Sequence, residues 1–119
     1  MYCPQTIDHY ENPRNVGTIK DADGVGIIGT LASGHMIKLT IRVSGNRIID
    51  TKFKAFGCPA AIAAGSILTE LVRGIQIEDA LKITNQHVDA ALGGLPPDKH
   101  RYAVYAEEVL KNAIANLIL

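Results

Sequence analysis

The chain has 119 residues, 47% hydrophobic and 20% charged, which suits one soluble globular domain able to bury a core without staples. Twelve Lys and Arg balance twelve Asp and Glu, so the cationic surplus that nucleic acid or an anionic membrane requires is missing. No apolar run approaches the roughly 20 residues that cross a bilayer, and the N-terminus lacks a signal-peptide pattern, so Cys3 and Cys58 are expected as free thiols in a cytoplasmic protein.

Residues 1–119 read as a single domain without repeat, low-complexity tract or linker. The stretch through about Lys20, with Pro13 and Gly17, predicts a short helix or an extended arm that then turns. Gly24 to Leu31 suggests a first strand. Met36 to Val43 is the clearest one, with Ile37, Leu39, Ile41 and Val43 alternating with Lys38, Thr40 and Arg42. Ser44-Gly45-Asn46 signals a tight hairpin. The return strand, Arg47 to Phe56, is expected to bury Ile49, Thr51, Phe53 and Ala55 and to leave Asp50, Lys52 and Lys54 in water.

After Cys58 the period becomes helical. Pro59 to Arg73 predicts a helix stopped by Gly74. Gly65 inside it costs about 1 kcal/mol relative to Ala, tolerable where a neighbour packs close. A short helix around Glu78 to Lys82 follows, then one capped by Thr84 and running to Leu92. Leu95-Pro96-Pro97 is an extended joint. The last helix, from about Lys99 to Leu117, carries a broad apolar stripe that includes Tyr102 and Tyr105. Strands first and helices after predict an α+β fold: a three-stranded antiparallel sheet packed on one face by several helices, the C-terminal one long.

Cys58 is the most informative residue. It lies between a strand end, Phe56-Gly57, and a helix opened by Pro59, which makes it the expected N-cap. There, unpaired N–H groups and the positive helix end favour the thiolate, the form that binds metal or attacks sulfur. A buried small residue at a strand–helix corner is the plainer alternative. His100 opens the last helix as a neutral ligand or a surface histidine. His35 and Ser33 flank Gly34 in the loop before the strongest strand, either converging on an ion or merely turning the chain. His9 and His87 read as surface or packing residues. One Cys and two His suffice for an open three-ligand site, without a short-range motif to prove it.

Three segments carry a family resemblance. Asp8-His9-Tyr10-Glu11-Asn12-Pro13-Arg14-Asn15-Val16-Gly17 resembles the N-terminal signature of the IscU/NifU iron–sulfur scaffold family. Phe53-Lys54-Ala55-Phe56-Gly57-Cys58-Pro59-Ala60-Ala61-Ile62-Ala63 resembles its middle segment, and Leu95-Pro96-Pro97-Asp98-Lys99-His100 its chaperone-recognition segment with the adjoining histidine. Order and spacing match over nearly the whole chain. The resemblance implies a non-enzymatic scaffold that holds a [2Fe–2S] cluster through three cysteines, assisted by an aspartate and the histidine.

Carried over residue by residue, that ligand set is mostly replaced. The first cysteine falls on Ser33 and the aspartate on His35. The second is kept as Cys58 and the histidine as His100, but the third cysteine is Arg101. A remaining set of Cys58, His100 and His35, with Ser33 or water, suits Zn(II) better than a cluster. A homodimer offering two Cys58 and two His100 would supply four ligands for [2Fe–2S]. The implied partners are a cysteine desulfurase and an Hsp70-type chaperone at Leu95 to Lys99, where Asp98 stands in place of the usual Val. Two other roles stay open: a desulfurase-binding adaptor or regulator that is no longer a scaffold, and a thiol protein using Cys58 as sulfur acceptor.

Overall fold

Helix α1, Pro4–Glu11, opens the chain and leads into an extended arm, so the N-terminal stretch contains both of the expected conformations. A computed structural model describes residues 2–117. Strands β1 (Gly24–Thr30), β2 (His35–Ser44) and β3 (Arg47–Phe56) form an antiparallel sheet in the order β1-β2-β3. Helices α2 (Pro59–Val72), α3 (Ile77–Ala80), α4 (Asn85–Ala91) and α5 (Arg101–Ala115) follow, with a 3-10 turn at Pro97–Lys99. The α+β expectation holds.

The core lies between one face of the sheet and helices α2 and α5. Ile37, Leu39, Ile41, Ile48 and Phe53 meet Ala60, Ala64, Leu68, Val109 and Leu110 there, all buried. Close approach depends on absent side chains. A Cβ at Gly24 would strike the carbonyl of Ala113, and one at Gly26 that of Val109, so α5 sits directly on the β1 backbone. Gly65 plays the same part in α2, where a Cβ would lie 2.6 Å from Cε2 of the Phe53 ring. The sequence-level condition for tolerating this glycine, a close neighbour, is met.

Strand β3 departs from simple alternation. The pairing steps from Arg42↔Asp50 to Val43↔Ile48, which leaves Ile49 as the extra residue of a β-bulge. Ile48 is therefore buried, while Ile49, expected on the core face, is 46% exposed. The other face of the sheet is also less open than expected. The arm after α1 pairs in parallel with Phe53 at Val16 and then crosses over Thr40, whose hydroxyl accepts the Ile19 N–H at 3.0 Å.

Candidate functional site

Gly57 turns the chain from β3 into α2 with φ at 121°, a conformation natural to glycine. A Cβ at this position would lie 3.1 Å from the His35 Cβ, so the start of β2 and the start of α2 share one corner. Cys58 is the α2 N-cap with extended backbone (φ −68° applies to the corresponding cap Cys3 of α1, φ −82° to Cys58), and Pro59 occupies the first helical position. Both sequence expectations for this junction are realised.

The Cys58 thiol is half-buried and reduced. Burial pushes its pKa up, but the surrounding donors outweigh this and hold it below the ordinary thiol value. They are the N–H groups of Ala61 and Ala60 at the helix start and the hydroxyls of Tyr102 and Tyr2. None closes a short capping bond, since the N-cap side chain makes no hydrogen bond to the helix; the effect is that of convergent donors around a sulfur. The tyrosines shift the other way. Burial, then the neighbouring Cys58, raises the pKa of both Tyr2 and Tyr102, so they remain protonated donors.

His35 packs into this corner. Its ring stacks on Tyr105 at a centroid distance of 5.0 Å and meets Tyr102 edge-on at 6.0 Å. Arg101 lies over the Tyr102 ring, its Cζ 4.9 Å from the centroid, and its Nη1 donates to the Asp98 carbonyl at 2.6 Å. A fixed cation thus lies against the tyrosine that faces the thiol.

The other two expected site residues are engaged elsewhere. Ser33 closes the β1–β2 loop: its hydroxyl accepts the Thr30 N–H at 3.0 Å and lies 2.9 Å from the Thr30 carbonyl and 3.0 Å from that of His35. His100 faces α4, with Nδ1 3.3 Å from Asp89 Oδ1 and Nε2 3.2 Å from Asn85 Oδ1. Cys3 is engaged as well, its thiol donating to the Gly93 carbonyl at 3.0 Å. Among the described residues no group of three or more His, Cys, Asp or Glu is arranged to hold a metal ion. The structure brings the His35 and Cys58 segments to one corner, while the Ser33 hydroxyl is engaged with loop backbone and the His100 ring with Asp89 and Asn85.

Sequence reasoning missed Tyr2, Tyr102 and Tyr105 as parts of the site. The periodicity of the last helix places Tyr102 and Tyr105 on its packing stripe. Their signal was position, three residues apart in the first turn after His100-Arg101, where a helix face meets the Cys58 corner.

Comparison with known proteins agrees with this architecture. The family model described as the NifU-like N terminal domain matches residues 1–118. The iron–sulfur cluster assembly scaffold protein IscU 1 of Archaeoglobus fulgidus is 49% identical over 116 residues, 98% of this chain and 76% of that protein. The scaffold protein IscU of Rickettsia prowazekii is 45% identical over 119 residues, covering 97% and 90%. Among solved structures, the N-terminal part of a NifU-like protein from Brucella abortus superposes with a TM-score of 0.61 at 16% identity, over 92% of this chain and 77% of that one, a likeness of fold. With its full-length family match and these relatives, the chain belongs to the NifU-like N-terminal domain family, the family of the IscU scaffolds.

Proposed function

We propose that the protein acts in iron–sulfur cluster assembly as a divergent scaffold whose first sulfur ligand to incoming iron or cluster is Cys58. The observation that carries this reading is the Cys58 corner itself, a thiol held toward its thiolate by two tyrosine hydroxyls and a helix start, with His35 beside it. Cargo in this sense is a [2Fe–2S] unit or a Zn(II) ion. One folded chain does not offer the four ligands that such a cluster requires. His100 would join only by leaving Asp89 and Asn85, and Ser33 only by opening its loop. The missing ligands come from such a rearrangement or from a second copy of the chain. Docking to a cysteine desulfurase, and to an Hsp70-type chaperone through Leu95 to Lys99, belongs to the same reading; in that segment Leu95 is buried while Pro97 and Asp98 are exposed.

The incomplete ligand set favours one second reading, a cytoplasmic adaptor that binds the desulfurase without cargo. Anaerobic purification with iron, sulfide and zinc analysis separates the two. Iron and sulfide in near-equal amounts, absent from Cys58→Ser, support the scaffold. Zinc lost in the same variant supports a metal-holding resting state. Metal-free protein that still binds the desulfurase transfers the case to the adaptor.

A further inference from the structure

The sheet face turned away from α2 and α5 carries a charge pattern that folding alone does not favour. Lys38 of β2 stands directly opposite Lys54 of β3, and Lys52 lies one row further, opposite Thr40. Like charges in directly opposed positions destabilise an antiparallel pair. The next row shows the stabilising arrangement, with Arg42 opposite Asp50. Among the described residues, none of the three lysines takes part in an ion pair. The whole chain is neutral, so this is a local concentration of positive charge rather than a reflection of composition.

Part of the face is covered by the chain itself. The arm crosses Thr40 at Ile19, and Gly17 lies against the Lys52 stem. In the rows nearer Cys58, Lys38 is half-buried. Lys54 is exposed, and Ile27, the β1 residue paired with Lys38, is 51% exposed. Met36 and Phe56 form the last pair before Gly57 and are half-buried.

We propose that this face docks an acidic segment of a protein partner, with carboxylates on Lys38 and Lys54 and apolar residues against Ile27, Met36 and Phe56. Charge complementarity selects the acidic chemistry. The interleaved apolar side chains and the zero net charge select a protein over a nucleic acid, whose binding demands a wider cationic surplus. The site adjoins the Cys58 corner along the chain, through Phe56-Gly57. The proposal does not depend on the scaffold reading, because it concerns the metal-free protein.

The test uses the metal-free full chain and a strand-forming peptide that alternates glutamate with leucine, followed by amide chemical shifts. Shifts centred on Lys38, Lys54 and Ile27 are expected, with affinity falling about tenfold or more from about 50 to about 500 mM salt as the charges are screened. Lys38→Glu is expected to lose peptide binding while raising the melting temperature, because it turns an opposed like pair into an opposite one. Lys54→Gln weakens binding and leaves the fold intact; Lys82→Glu, on α3, binds as the parent does. The proposal is overturned by shifts on another face, by undiminished binding in Lys38→Glu, or by equal binding of a peptide with glutamine for glutamate. It is also overturned if single-stranded DNA or anionic vesicles bind through these lysines while the peptide does not.

Discussion

Cys58 gains its chemistry from residues far away in sequence. The helix start supplies two N–H groups, as a strand-Gly-Cys-Pro junction implies, but Tyr102 and Tyr2 come from the other two ends of the chain. Tyr102→Phe removes one hydroxyl and keeps the ring against His35 and Tyr105. In metal-free protein this variant is expected to move the midpoint of the alkylation-rate profile of Cys58 to higher pH. Below that midpoint the rate falls about tenfold, the scale of one hydrogen bond to a charged group. An unchanged profile would mean that the helix start and Tyr2 set the thiol without Tyr102. Arg101 was legible as a cation directly after His100; its seat over Tyr102 was not, since a side chain's stacking partner follows from packing.

The helices and strands were legible nearly to their ends because each rests on a local pattern: alternation in β2, Pro59 at a helix start, Gly74 past a helix end. Helix α4 adds an unforeseen detail, as His87 Nδ1 accepts the Thr84 N–H at 2.9 Å and so completes the cap that Thr84 begins. The bulge at Ile49 was not legible. Alternation predicted Ile49 inside, and Ile48 with Ile49 offers two equivalent apolar choices; the hairpin register decided between them. Packing also reverses a propensity in α2. Gly65→Ala would gain about 1 kcal/mol of helix propensity, but its methyl would enter the buried Phe53 ring, which cannot swing away. A net loss of about 1–3 kcal/mol is expected, the usual cost of overpacking, read by chemical denaturation. A stabilised variant would show that α2 lifts off β3 freely.

At the scale of the whole molecule, the arm and α1 are fastened to α2 through one buried hydroxyl. Ser66 Oγ accepts the Arg14 N–H at 2.9 Å and shares a hydrogen bond of 2.7 Å with His9 Nδ1. His9 Nε2 lies 3.4 Å from Glu70 Oε1. Burial, followed by the charge of Arg14, lowers the His9 pKa against the opposing pull of Glu70 and Asp8. The unfolded chain then takes up its proton first as pH falls. Stability from this source is full above the unfolded value of about 6.5 and declines below it until the folded histidine also protonates. Asp8, lowered by Arg14, and Glu107, lowered by Lys111 and the Asn85 N–H, add an exposed and therefore small loss in the acid range, below about pH 4. The melting temperature is expected to fall between pH 7 and pH 5.5, and His9→Gln to flatten that slope; an equal slope in the variant would remove His9 as its cause. By itself the sequence determined the order of elements, the cap position of Cys58 and the family, because each is written in neighbouring residues. Only the tertiary structure decided the bulge, the tyrosines around the thiol, the turn of His100 toward Asp89 and the burial of His9, because those depend on which distant surfaces meet when the helices close on the sheet.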